Sequence, residues 1–108
     1  MTNRKRNKFN LEEEDFNSIL DVCSQFPAIE SVLIFGSRVR GDSKLNSDID
    51  LCLVVDNLST EILNRVSEIL EEEIRVALFF DVVALNLIKN AAFKKDILES
   101  GVEIYLKR

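Results

Sequence analysis

Four short apolar runs alternate along this chain with segments whose apolar residues recur every three or four positions, and that alternation of periods leaves few folds open. The runs are Ser31-Val-Leu-Ile-Phe35, Asp48 to Val55, Ile74 to Leu85 and Val102 to Leu106. They are rich in β-branched and aromatic residues and have the character of strands. Before and between them lie three helical stripes: Leu11, Phe16, Ile19, Leu20, Cys23 and Phe26; then Ile62, Leu63, Val66, Ile69 and Leu70; then Leu87, Ile88, Ala91, Ala92 and Leu98. Asn10 with Glu13 three residues later reads as a helix cap with its capping-box partner, and Pro27 closes that segment. Ser59 or Thr60 can cap the second helix, and Gly101 stops the third. With a short helix in the turn after Gly36, the order is α-β-short α-β-α-β-α-β. This predicts a two-layer α/β (α+β) domain, a mixed central sheet of about four strands with helices packed mainly on one side.

The 108 residues form one domain, expected over residues 10–108, behind a flexible basic arm at residues 1–9. Apolar residues make up 46% and charged residues 31%, ordinary usage for a soluble globular chain. No apolar run approaches the roughly 20 residues needed to cross a bilayer. The basic start is followed by no apolar core of a secretory signal, so a cytoplasmic location is expected. Cys23 and Cys52 have no metal-ligand spacing and are expected to be reduced thiols packed in the core. Net charge is −5; because the first eight residues hold four cations and no acid, residues 9–108 carry −9. An acidic body argues against direct nucleic-acid binding, which needs a basic face.

The informative feature is charge placed inside apolar strands. Aspartate is disfavoured in strands and seldom buried unless paired. Asp48-Ile-Asp50-Leu nevertheless puts two carboxylates two residues apart, and strand period two sends both to one face about 7 Å apart. A third acid, Asp81, interrupts Phe79-Phe-Asp-Val-Val83. Hard oxygen donors of this kind select Mg²⁺ or Mn²⁺. Two such ions about 4 Å apart can clamp the attacking and leaving oxygens of a phosphoryl transfer. The competing reading is structural: Asp48 begins a strand at solvent, while Asp50 and Asp81 each pair with an internal lysine or arginine.

Gly36-Ser37 stands where an apolar strand meets a turn. Glycine lets backbone approach phosphate oxygens, amide groups at a helix start attract anions, and the Ser37 hydroxyl adds a donor. A plain strand-ending turn with a helix cap is the bland alternative. Of the loop cations that follow, Arg38 is expected to meet the charge of a triphosphate and Lys44 to be an ordinary exposed cation; Arg40 stands between these readings.

Taken together, Ile34-Phe-Gly-Ser37, ten intervening residues and Asp48-Ile-Asp-Leu51 resemble the signature of the DNA polymerase β-like nucleotidyltransferase superfamily. The stretches Phe35-Gly-Ser-Arg-Val-Arg-Gly41 and Ser47-Asp-Ile-Asp-Leu51 look like its minimal nucleotidyltransferase (MNT) members, often paired as antitoxins with HEPN-domain toxins. The resemblance implies that Gly36 and Ser37 form the phosphate-binding turn, that Asp48 and Asp50 are metal ligands, and that Asp81 is the third carboxylate. It further implies a two-metal Mg²⁺ enzyme, with Mn²⁺ as substitute, using ATP to place AMP on a tyrosine of a HEPN partner. Metal-lowered acceptor pKa, with a carboxylate as base, suits a chain without histidine. The same lack excludes the Arg…His motif of HEPN toxins and, if the chain belongs to such a pair, places it on the antitoxin side. Tyr105, the single tyrosine, reads as a strand residue rather than an acceptor.

Two other functions fit these residues: a non-catalytic module that neutralises a partner by covering it, and a nucleotidyltransferase acting on a small molecule. Larger relatives append a helical domain that grips base and acceptor. With none evident by Arg108, a partner or a second copy is expected to complete the site, as a homo- or hetero-oligomer.

Overall fold

The computed structural model describes residues 6–44, 47–56, 60–73 and 79–108. The elements follow the expected order. Helix α1 (Glu13–Ser24) leads into β1 (Ile29–Phe35), a one-turn helix α2 (Ser37–Arg40) and β2 (Ile49–Val55). Helix α3 (Thr60–Glu73) then precedes β3 (Phe80–Ala84), a 3₁₀ turn at Leu85–Leu87, helix α4 (Ala91–Ser100) and β4 (Val102–Leu106).

The four strands form one mixed sheet in the order β3-β2-β1-β4. β1 is antiparallel to both of its neighbours, and β2 runs parallel to β3. Alternation along the strands sorts the core into two layers. Val32, Ile34, Ile49, Leu51 and Leu53 pack with Ile19, Val22 and Cys23 of α1 and Val66 and Leu70 of α3. The opposite side carries a smaller cluster, Phe35 and Cys52 against Ile97 of α4, with Leu33 and Val83 beside them. Phe93 meets Phe35 edge-on at 5.8 Å between ring centroids. Two helices thus cover one face and α4 covers part of the other. Tyr105 is half-buried in β4, against the main core. Among the described residues no helix is long and apolar enough to cross a membrane.

Two local expectations are corrected. Helix α1 begins at Glu13, and Asn10 is not its cap: Asn10 has a φ of 59°, a left-handed turn that asparagine tolerates. The turn is organised from Asn7, whose Oδ1 accepts from the N–H groups of Phe9 and Leu11. Phe9, at the end of the expected basic arm, is buried and stacks on Phe16. Of residues 1–9, the first five lie outside the described residues, as do Ser59 as a cap and residues 74–78 of the expected third strand.

The last helical stripe is also shifted in phase. Asn90 caps α4 by accepting from the Phe93 N–H, so Leu87 and Ile88 fall before the helix. Ile97 becomes its buried residue, while Ala91, Ala92 and Leu98 face outward.

Candidate active site

Strand register gathers the expected acids. Phe35 is opposite Asp50 across the β1–β2 pair, and Asp50 is opposite Asp81 across the β2–β3 pair. One line across three strands therefore holds the start of the Gly36 turn, then Asp50, then Asp81, at about 4.8 Å per strand. Asp48 lies two residues before Asp50, just ahead of β2, and its charge reaches Asp50. Asp50 is half-buried; Asp48 and Asp81 are exposed.

Gly36 adopts a φ of 80°, where a side chain would be strained, and a methyl group built on it would run into the Asp50 carboxylate oxygen Oδ2. The missing side chain is thus what lets the strand end, its turn and the acid share one spot. The turn continues as α2, opened by Ser37 and closed by Gly41 in the left-handed conformation, whose N–H donates to Ser37 O.

Electrostatics agree with the geometry. The Asp50 carboxyl is held above its ordinary value, first by burial and then by the negative charges of Asp81 and Asp48; Arg40 and Arg38 oppose the shift. The three acids are near enough to repel one another, and among the described residues none is neutralised in an ion pair. The structural reading of internally paired carboxylates is not what the strands show.

Clustered, unpaired, hard oxygen donors fit a divalent cation in their chemistry. They are a facing set rather than a closed cage: among the described residues no three acid or thiol side chains already converge as metal ligands. Asp48, Asp50 and Asp81 are the residues that would hold such an ion.

Arg38 stands elsewhere than expected. It is 1% exposed, and its donors go to backbone carbonyls: Nε to Asp48 O at 3.3 Å, Nη1 to Phe9 O at 3.3 Å and Asn10 O at 2.7 Å, and Nη2 to Ser47 O at 2.6 Å. It braces the turn from below instead of presenting itself to an incoming anion. Arg40 is the exposed cation of α2, with only a 3.5 Å surface contact to Asp42, and its charge reaches Asp50. Two residues on a helix point about 200° apart, so with Arg38 turned inward Arg40 is left at the surface, although both charges reach Asp50. Helical period could have indicated that one of the two is turned away, but not which.

A four-stranded mixed sheet with a glycine-serine turn set against two facing aspartates defines a nucleotidyltransferase fold. The chain belongs to the Polymerase beta, Nucleotidyltransferase family, whose model matches residues 17–108. Among solved structures it is similar to a toxin–antitoxin bound to AMP-PNP, with 19% identity, a TM-score of 0.71, and 86% of this chain covering 74% of that one. It is also similar to a toxin–antitoxin MntA-HepT structure, at 16% identity and a TM-score of 0.67, covering 89% of this chain and 74% of the other. A mutant MntA-HpeT structure, in which two aspartates two positions apart are both changed to glutamate, gives 16% identity and a TM-score of 0.68, covering 86% and 74%. At these identities the likeness is one of fold. No curated protein matches the chain significantly.

Proposed function

We propose that this protein is a Mg²⁺-dependent nucleotidyltransferase that moves AMP from ATP to a hydroxyl group, a tyrosine of a partner HEPN-type ribonuclease toxin, and so acts as its antitoxin. The observation that carries the reading is the line Gly36–Asp50–Asp81, with Asp48 beside it and, among the described residues, no ion pair to any of these acids. Support for the partner comes from three fold neighbours that are toxin–antitoxin structures; one holds AMP-PNP and another alters an aspartate pair with the spacing of Asp48 and Asp50.

In this reading the acceptor oxygen attacks the α-phosphorus of ATP. An O–P bond forms, the bond from the α-phosphorus to the bridging oxygen breaks, and pyrophosphate leaves with that electron pair. Gly36 and Ser37 receive the phosphate chain in the turn, and Arg40 rather than Arg38 meets its charge from α2. Asp81, on the far side of Asp50 from the turn, faces the acceptor and can take its proton. Divalent cations held by Asp48, Asp50 and Asp81 would supply Lewis-acid stabilisation of the developing charge and lower the acceptor's pKa. Arg38 maintains the backbone that carries Asp48.

The test is transfer of label from α-labelled ATP to a co-purified HEPN-type protein, compared between wild type and the Asp48→Ala and Asp50→Ala variants. Transfer should require both acids and Mg²⁺. Persistence in both variants would remove the assignment. Variants that lose transfer yet still neutralise the partner in cells would instead support inhibition by covering.

A further inference from the structure

Arg38 joins two parts of the chain that sequence separation keeps far apart. One side of its guanidinium holds the Phe9 and Asn10 carbonyls, and the other holds those of Ser47 and Asp48. We propose that Arg38 is a positioning residue through which the N-terminal turn, residues 7–11, sets the place of Asp48 at the acid cluster. The proposal rests on the reading of Asp48 as a metal ligand.

Asp48 is otherwise weakly restrained. It is exposed and precedes the first ladder residue of β2, so its carboxylate has no packing to aim it. Its own carbonyl is one of the four that Arg38 grips, which fixes the backbone from which the side chain springs. The other end of the brace is rigid. Phe9 and Leu11 are buried in the main core, and Asn7 closes the turn with hydrogen bonds of 2.9 Å and 3.1 Å to their N–H groups. Arg6 adds bonds to the Asn10 carbonyl and to its Oδ1, and an ion pair with Glu12. A second link, Asn10 Nδ2 to Ser43 Oγ at 3.4 Å, ties the same turn to the loop after α2.

Only a guanidinium suits this place, because its planar fork presents donors along two edges, whereas an ammonium is a single point of charge. Residues 6–12 lie ahead of the segment that matches the family, which begins at residue 17. The chain therefore fastens a segment from outside the family match onto the family's site. If one end of such a brace loosens, so does the other, and an ion that orders Asp48 must order the turn in return.

Full-length wild type, Asn7→Ala and Arg38→Lys are compared by amide hydrogen exchange without metal and by Mn²⁺ titration followed by electron paramagnetic resonance. Asn7→Ala touches no site residue, and it keeps the proposal open to refutation should Arg38→Lys not fold. It is expected to speed exchange at Ser47 and Ile49 while β1 keeps its protection. Mn²⁺ binding should weaken by about tenfold, the low end of the effect of loosening a group that supports a ligand; Arg38→Lys should do the same more strongly. Unchanged exchange at Ser47 and Ile49 in folded Asn7→Ala overturns the proposal, as does unchanged Mn²⁺ affinity once the loop has loosened. Failure of wild type itself to take Mn²⁺ is distinguishable from either, since it sinks the metal reading and the role of Asp48 together.

Discussion

The carboxylate of Asp50 occupies the space that a side chain on Gly36 would fill. The end of β1 and the middle acid of the cluster are thereby in direct contact, and the substitution that should disturb the site most is one that adds a single carbon. Gly36→Ala would push Asp50 aside and force alanine into a left-handed backbone, at a cost of about 1–3 kcal/mol. A lower urea midpoint and loss of AMP transfer are the expected outcomes, measured by equilibrium unfolding and by label incorporation.

Removing charge at Asp50 should have opposite effects with and without metal. Because its folded pKa is raised above the ordinary 3.8, the folded chain keeps this proton to higher pH than the unfolded chain does. Stability of the metal-free protein therefore declines as pH rises from that ordinary value through the folded one, and the penalty persists above it. Asp50→Asn should flatten this dependence, resist urea better than wild type at pH 7 without metal, and gain nothing from added Mg²⁺. Urea melts across pH, with and without Mg²⁺, check all three.

Asp48 and Asp81 are exposed and carry no ion pair with a described residue. Changing either to asparagine should leave the unfolding midpoint almost unmoved and reduce transfer by at least ~100-fold, the scale seen when a group that stabilises transition-state charge is removed. Rate and stability measured on one preparation separate these effects.

The arginines of α2 should part company on mutation. Arg40→Ala removes an exposed cation with a weak surface contact, so stability should hold while the KM for ATP rises by about tenfold. Arg38→Met would strand several backbone carbonyls without donors and should cost about 3 kcal/mol or more. Steady-state kinetics on the first and urea unfolding on the second give the contrast.

Neither thiol should behave as a reactive cysteine. Burial pushes Cys23 up to about 12 and Cys52 up to about 11, the latter despite an opposing pull from Lys94. Modification by a thiol-specific disulfide reagent at pH 8 should be slower than in unfolded chain by roughly 10²-fold or more, with both sulfurs becoming reactive in urea.

Sequence by itself determined the element order, the two-residue spacing of Asp48 and Asp50, and the glycine turn that precedes them. These are properties of neighbouring residues, set by the periods of strand and helix and by the freedom of glycine, and no distant contact is needed to read them. Only the tertiary structure decided that Asp81 lies opposite Asp50, because register between strands thirty residues apart depends on how the sheet assembles. It also decided that Asn90 resets α4 so that Ile97 turns inward, and that Arg38 is buried against backbone carbonyls while Arg40 stays at the surface. A cation's role follows from which partners surround it after folding. The carbonyls that claim Arg38 come from positions 9, 10, 47 and 48, which no local pattern brings together.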